Sequence, residues 1–280
     1  MTHWIETHRG AVPPWQCDVT EHFTIAYYFD RLEEAEANLG DALGVPHRSD
    51  IPRRIIGRFA RELREGASFH VESAPIGLEA GLRLGHRFVD SANGEVVTWI
   101  EEHRDLSAAP LTSEQHHAIA ARCATWNGPE TEHRPDPLTT DRFIPTARGR
   151  VKHTDIDAAG NFALGAMVHR FSNSSAQLGA AIGMDAIFMQ QNRRGFSTFE
   201  LILRVSAALV LDAPYLVTTG IGYLGNSSLR MIHRMADPRS GTEIAQLSQY
   251  GVILDLDARR PARWPDDIRS RAEKLVVPVG

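Results

Sequence analysis

Two aspartates, each placed a few positions ahead of a long apolar helix, are the residues best suited to chemistry. Asp18 is followed four positions later by His22, and Asp157 is followed four positions later by Asn161. Hydrolysis of an activated carbonyl needs an oxygen nucleophile or base, and donors for the developing oxyanion. A carboxylate near a helix N-terminus could supply the first, and the unpaired helix amides the second. We therefore take all four residues as catalytic candidates.

Each candidate also has an ordinary structural interpretation. Asp is a preferred N-cap, so Asp18 and Asp157 could simply cap their helices. His22 could be a half-buried residue bonded to the backbone, and Asn161 could merely continue a turn. Cys17 lies beside Asp18, but strand alternation should point it the opposite way, so we interpret it as a core residue.

The two aspartates belong to a repeat. Residues 9–44 and 148–183 align without a gap at an offset of 139, and each copy reads as a short strand, a polar turn and a long apolar helix. The helices are predicted to end at Gly44 and Gly183. A period of about half the chain predicts two copies of one domain. We expect the offset to hold into the following strands, with extra residues of the second copy near 220–227.

Strand-like segments follow both helices, so the predicted fold class is α+β. Residues 53–106 and 195–256 contain short, partly alternating runs bounded by Gly, Pro or turn residues, typical of about four antiparallel strands in each copy. We predict an N-terminal domain over 1–108, a linker with one helix over 109–147, and a C-terminal domain over 148–280. The linker is rich in Pro, Thr and charge, and we expect it to pack along the surface.

Composition excludes several classes of function. The chain has 280 residues, 42% hydrophobic and 23% charged, and its net charge of −5 offers no basic field for nucleic acid. No apolar run approaches the roughly 20 residues that span a bilayer, and no secretory segment is recognisable, so a cytoplasmic location without membrane contact is expected. Because metal-ligand spacing, a phosphate loop and a dinucleotide fingerprint are not recognised, we expect no metal and no cofactor.

The strand, Asp-bearing turn, long buried helix and β meander resemble the hotdog fold, in which a sheet wraps around a central helix. Residues 16–23 and 155–162 are similar to the D-x-D-x-x-G-H-V turn of the 4-hydroxybenzoyl-CoA thioesterase-like branch of the hotdog thioesterase superfamily. The resemblance implies two tandem hotdog domains, each a long central helix wrapped by an antiparallel β-sheet. Acyl-acyl-carrier-protein (acyl-ACP) thioesterases also have this double hotdog arrangement.

The two copies keep different parts of the motif. The first retains its His as His22 but has Glu21 in place of the Gly. The second retains Asp155 and Gly160 but has Asn161 in place of the His. Either pocket could therefore have lost its function.

The resemblance implies a thioesterase that hydrolyses an acyl-CoA or acyl-ACP thioester. Asp18 or Asp157 would act on the thioester carbonyl as nucleophile or general base, with helix amides as the oxyanion hole. Further substrate-binding candidates are Gly160, Tyr27 and, for the CoA phosphates, Arg193 and Arg194. Hotdog domains usually pair, so the expected assembly is an intrachain pseudo-dimer or a dimer of double hotdogs.

Two other functions stay open. One is a hotdog hydratase or dehydratase, although its D-x-N-P-x-H motif places the His five residues after the Asp and does not match here. The other is a non-catalytic protein that binds acyl thioesters, which the incomplete motifs would suit. Glu33, Glu34 and Glu36 are expected to face solvent, although one of them could reach a pocket. The polar run 172–175 could line an acyl cavity or face water.

Overall fold

The computed structural model describes most of the chain, namely residues 3–18, 20–45, 48–107, 109–132, 134–138 and 140–280. Val19 of the first turn and position 108, the predicted domain boundary, lie outside the described residues.

Two long helices dominate the described helical structure. The α-helices are α1 (Ile25–Leu43), α2 (Ser113–Ala120), α3 (Leu164–Ile182), α4 (Ala186–Gln191) and α5 (Asp266–Glu273). Helices α1 and α3 have 19 residues each and occupy equivalent positions of the repeat. Each ends at a glycine in the left-handed conformation, Gly44 at φ 68° and Gly183 at φ 86°. A residue without Cβ adopts this conformation without steric cost, so the predicted helix ends are confirmed.

The strands form one antiparallel sheet. They are β1 (Ile5–Ala11), β2 (Arg53–Phe59), β3 (Ser68–Gly77), β4 (Leu82–Asp90), β5 (Val96–Arg104), β6 (Ile144–Arg150), β7 (Arg194–Val205), β8 (Pro214–Leu224), β9 (Ser228–Ala236), β10 (Glu243–Asp255) and β11 (Arg260–Pro261). Their order is β1-β3-β4-β5-β2-β7-β10-β9-β8-β6, with β11 beside β10. The second half repeats the order of the first in reverse, which is the signature of a pseudo-twofold axis between β2 and β7.

The two halves share one hydrophobic core. Strands β2 and β7 pair from Arg53 opposite Val205 to Arg58 opposite Glu200. Helices α1 and α3 pack against each other and against the sheet, and fully buried side chains of both belong to one apolar cluster, among them Phe29, Leu32, Met167 and Phe171. Each such side chain contributes roughly 1.5–3 kcal/mol on burial. The α+β class and the tandem hotdog arrangement are therefore confirmed, with both hotdogs in one chain.

The extra residues of the second copy lie earlier than predicted. Helix α4 is inserted between α3 and β7, so the offset rises from 139 at the long helices to 146 at Ser73 and Thr219, and it is 147 at their partners His86 and His233. The expectation of extra residues near 220–227 holds for a single residue, between Thr219 and His233, and is wrong for the others. It rested on two Ala-Pro pairs that are not equivalent, because Pro75 lies inside β3 whereas Pro214 begins β8.

The segment between the halves crosses the outer face of the sheet, opposite the helices. Trp126 packs edge-on against Trp99 of β5, with ring centroids 5.3 Å apart. Further along, the Pro135 carbonyl accepts a hydrogen bond from Arg230 at 2.8 Å and the Pro137 carbonyl accepts one from Arg234 at 3.2 Å. This path leads from β5, in the middle of the sheet, to β6 at its far edge, which explains the length of the connection. None of the described helices is long and apolar enough to span a membrane.

Candidate active site

The first candidate turn is closed by the carboxylate of Asp18. Its Oδ1 accepts hydrogen bonds from the Thr20 amide at 2.8 Å, the Thr20 hydroxyl at 2.5 Å and the His22 amide at 3.4 Å. The amide of Asp18 donates to the His22 carbonyl at 2.9 Å. Helix α1 begins only at Ile25, with Thr24 as its N-cap. Asp18 is exposed at the surface and shapes the turn rather than capping the helix.

The second turn repeats the amide hydrogen bonds of the first. Asp157 Oδ1 accepts from the Ala159 amide at 2.8 Å and the Asn161 amide at 2.9 Å. The N-cap of α3 is Ala163, so the capping interpretation is wrong for both aspartates. Asp157 Oδ2 is buried and has no hydrogen-bond partner among the described residues. The Asn161 side chain is occupied, since its amide nitrogen donates to Ser49 Oγ at 2.9 Å.

The glycine position of the motif requires a left-handed backbone in both turns. Gly160 has φ 84°, and Glu21, which replaces it in the first copy, has φ 67°. A residue with a Cβ is strained there by roughly 1–2 kcal/mol. The first turn therefore keeps the motif geometry at an energetic cost, which indicates that its conformation is held by the surrounding contacts.

His22 connects the Asp18 turn to the second half of the chain. It is buried, with Nδ1 2.9 Å from Thr20 Oγ1 and Nε2 2.8 Å from Glu62 Oε2. Glu62 Oε1 in turn accepts a hydrogen bond from Ser197 Oγ of β7 at 2.8 Å. Burial opposes ionisation of Glu62, but the hydrogen bonds from His22 and Ser197 outweigh it and lower the pKa of that carboxyl. The result is a continuous chain from Asp18 through Thr20 and His22 to a carboxylate.

A cavity of about 240 Å³ opens beside this chain, between the two halves. Asp18, Thr20, His22 and Glu62 line it from the first half, together with apolar side chains that include Ile25 at the start of α1. From the second half the lining residues are Ser172, Ser175, Phe196, Ser197, Thr198 and Gln249. The structure thus brings Asp18 and His22 together at one cavity, and it places Asp157 and Asn161 elsewhere.

The site beside Asp157 that is pseudo-equivalent to this cavity is occupied by the side chain of Glu33. Glu33 of α1 accepts a hydrogen bond from the Leu164 amide, the first residue of α3, at 2.8 Å. Burial raises the pKa of Glu33 to about 7, although this amide bond and the Arg53 charge oppose the shift. The residue equivalent to Glu33 in the second copy is Ser172, which bonds back to the carbonyl of its own helix at 3.1 Å. The amide end of α1 therefore faces a cavity, whereas that of α3 faces a carboxylate.

Behind Glu33 lies a buried cluster of four charged side chains. Arg53 is 3.1 Å from Glu36 and 3.4 Å from Glu102, and Arg104 is 2.8 Å and 3.0 Å from the same two carboxylates. His86 could join both carboxylates as a metal ligand by distance alone. Because the two guanidiniums already compensate both carboxylates, we interpret the cluster as an ion-pair network.

These contacts correct one prediction and account for another. Glu34 is exposed, but Glu36 is fully buried and Glu33 is half-buried, because α3 packs along this side of α1. The expectation of a solvated glutamate face is therefore wrong for two of the three residues. The run 172–175 does line a cavity, through Ser172 and Ser175.

The remaining substrate-binding candidates lie outside the cavity lining. Tyr27 packs edge-on against His169 at 4.9 Å in the α1–α3 contact. Arg193 and Arg194, at the start of β7, form ion pairs with aspartates of the β10–β11 hairpin, Asp257 at 3.1 Å and Asp255 at 2.8 Å. Their charges are therefore partly compensated within the protein.

A larger, open depression of about 1010 Å³ follows β6 and β8, and its rim includes Arg148, Arg150 and Lys152. No candidate catalytic residue lines it. We place the candidate site in the smaller cavity, because titratable groups, amide donors and both halves of the chain meet there.

Sequence reasoning missed Glu62, Ser197 and Gln249. They lie in a loop and two strands far from the motif, and no local pattern marks them. Thr20 could have been found, since it lies between Asp18 and His22 in the turn.

Comparisons with known proteins show which family model and which folds the chain resembles. Residues 151–272 match the family model of the thioesterase-like superfamily. An acyl-ACP thioesterase from Bacteroides thetaiotaomicron VPI-5482 superposes with a TM-score of 0.64 at 11% identity, over 88% of this chain and 96% of that one. The 12:0-ACP thioesterase from Umbellularia californica superposes with a TM-score of 0.64 at 12% identity, over 93% and 95%. No curated protein sequence matches the chain.

At such low identity the structural matches establish a common fold, the double hotdog. Residues 151–272 match the family model of the superfamily that the two turns resemble, so the family resemblance is confirmed.

Proposed function

We propose that this protein is a thioesterase that hydrolyses an acyl-CoA or acyl-ACP thioester in the cavity beside Asp18. One observation carries the proposal, namely the asymmetry between the two pseudo-equivalent sites. At Asp18 a carboxylate, a buried histidine and an open helix N-terminus meet at a cavity. At Asp157 the helix amide is already bonded to Glu33. The superfamily match and the acyl-ACP thioesterase neighbours agree with this reaction class.

Asp18 acts as the general base in this proposal. A water molecule attacks the thioester carbonyl carbon while the Asp18 carboxylate accepts its proton. The three hydrogen bonds that described residues donate to this carboxylate all end on Oδ1. These bonds fix the carboxylate plane, so Oδ2 is the oxygen assigned to the water. The C–S bond then breaks, and the proton passes to the leaving thiolate.

The oxyanion is assigned to the amide end of α1. The first amides of a helix have no intrahelical acceptor, and Thr24 gives no side-chain cap. Ile25 is the first residue of α1 and lies in the cavity lining, so its amide is the donor that we assign to the oxyanion. A single oxyanion donor is worth about 2.7–4 kcal/mol of barrier in comparable sites.

Thr20, His22 and Glu62 are positioning residues for Asp18. Glu62 contacts the imidazole at Nε2, and Nδ1 lies 2.9 Å from Thr20 Oγ1, which is 2.5 Å from Asp18 Oδ1. Removing Glu62 should therefore lower kcat more than it changes KM, because the carboxylate loses its orientation rather than its contact with substrate.

The test measures the hydrolysis of a panel of acyl-CoA thioesters, with the released free thiol as the readout. Wild type is expected to turn over, and Glu62→Gln to lose about 10-fold or more in kcat, within the range of acid–base positioning effects. Glu65→Gln, an exposed change in the same loop, is the matched control. If wild type binds the thioesters without turnover, a non-catalytic binding protein is the better account.

A further inference from the structure

We propose that the acyl group accepted by this cavity is short and carries a hydrogen-bonding substituent, such as a hydroxyl or oxo group. This inference rests on the proposed function, and it names the substrate class of the same site. It comes from the size of the cavity and from the polar side chains that the second half contributes to its wall.

The cavity is too small for a long acyl chain. Its volume is about 240 Å³. With about 30 Å³ for each water-sized group, that space holds about eight non-hydrogen atoms. A hexanoyl group with one hydroxyl fills this space. A palmitoyl group has roughly twice as many non-hydrogen atoms as the space holds, at the same volume per atom. Phe59, Tyr28 and Phe196 form its apolar side walls and limit its width.

Part of the cavity wall that the second half contributes is polar. Ser175 Oγ donates to Gln249 Oε1 at 3.0 Å, and Gln249 Nε2 donates to Thr198 Oγ1 at 2.6 Å. All three residues line the cavity and are half-buried. Because the Thr198 hydroxyl already accepts from Gln249, its own proton is available to an acceptor in the cavity. His233 lies behind this wall, with Nε2 3.4 Å from Ser175 Oγ.

The contrast with the first copy shows that a polar wall is not demanded by the fold. Ser175 is equivalent to Glu36 and Gln249 to Glu102, and in the first copy these positions hold the buried ion pairs that fill the space. In the second copy they hold neutral side chains, a serine and a glutamine, that line a cavity. An apolar wall would suit a plain hydrocarbon chain, whereas here such a chain would displace water from three polar side chains without replacing its hydrogen bonds.

The experiment compares three CoA thioesters at equal concentration: hexanoyl-CoA, 3-hydroxyhexanoyl-CoA and palmitoyl-CoA. The hydroxylated ester is expected to exceed hexanoyl-CoA by about tenfold or more in kcat/KM, and both to exceed palmitoyl-CoA. A preference for palmitoyl-CoA, or equal values for the two six-carbon esters, would overturn the inference.

Variants of the polar wall test the cause of the preference. Gln249→Leu should reduce the ratio between the kcat/KM values of the two six-carbon esters to about one. Gln190→Leu, the same substitution at an exposed position of α4, should leave the ratio unchanged. Ser175→Ala removes one hydroxyl and serves as the milder variant if Gln249→Leu does not fold. An unchanged ratio in a folded Gln249→Leu protein contradicts the role of the wall.

Binding separates this inference from the proposed function. Thioether analogues of the same three esters, in which the carbonyl is retained and the thioester sulfur is replaced by S–CH₂, report affinity without hydrolysis. Absence of turnover with a retained preference for the hydroxylated analogue would reject the thioesterase and keep the substrate class. Turnover without a preference for the hydroxylated analogue would keep the thioesterase and reject the substrate class.

Discussion

Glu33 should make the protein less stable as the pH rises, and Glu33→Gln should remove this effect. Burial raises the pKa of this carboxyl from 4.5 to about 7. The folded protein therefore binds more protons than the unfolded chain between these values, so its stability is greatest below pH 4.5 and is lost as the pH rises towards 7. At about 1.4 kcal/mol for each pKa unit, the full shift corresponds to about 3 kcal/mol. Because the side chain is only half-buried, we expect about 2 kcal/mol.

Glutamine has the same shape and its carbonyl oxygen can still accept from the Leu164 amide. The change in free energy of unfolding from wild type to Glu33→Gln should therefore be more favourable at pH 8 than at pH 4.5, by about 2 kcal/mol. Urea denaturation at the two pH values measures this difference. Glu114→Gln, at an exposed position of α2, should change stability by no more than about 0.5 kcal/mol at either pH. An equal effect of Glu33→Gln at both pH values would refute the closed site at the start of α3.

Three further substitutions test the fold. Arg104→Met leaves two buried carboxylates with one guanidinium and should cost about 3–5 kcal/mol in urea denaturation; a loss below 1 kcal/mol would contradict the buried network. Trp126→Ala removes the contact with Trp99, should cost about 2 kcal/mol, and should speed proteolysis of the crossing segment; unchanged cleavage would argue against its packing on the sheet. Glu21→Gly removes a Cβ from a left-handed backbone position and should stabilise the protein by about 1 kcal/mol, whereas Glu65→Gly should not stabilise it. A loss of stability with both substitutions would mean that Glu21 is unstrained.

The sequence predicted the features that depend on local pattern. The repeat, the two buried helices, their glycine ends and the strand-rich segments are all present at the expected places. They could be predicted because helix periodicity, turn residues and end signals are properties of neighbouring residues. The family resemblance rested on two turns, and the second half of the chain matches the thioesterase-like superfamily.

The features that sequence reasoning missed depend on contacts between the halves. Glu33 and Glu36 look like a charged surface on an isolated helix, and only the packing of α3 encloses them. Glu62 reaches His22 from a loop, and Ser197 reaches Glu62 from the other half. The extra residues of the second copy were expected too late in the chain, because two Ala-Pro dipeptides happen to lie at the offset of 139. Which of the two aspartates faces a cavity therefore could not be read from either turn alone.

The central claim is that the Asp18 site is active and the Asp157 site is closed. Its most direct test is kcat/KM for one hydrolysed acyl-CoA thioester in Asp18→Asn and Asp157→Asn, two isosteric changes at pseudo-equivalent positions. We predict that Asp18→Asn loses about 100-fold or more, the scale of a removed general base. Asp157→Asn should stay within about threefold of wild type, because a folded protein with an unchanged Asp18 site keeps its transition-state contacts. The opposite pattern, with activity lost at Asp157 and kept at Asp18, would contradict the account.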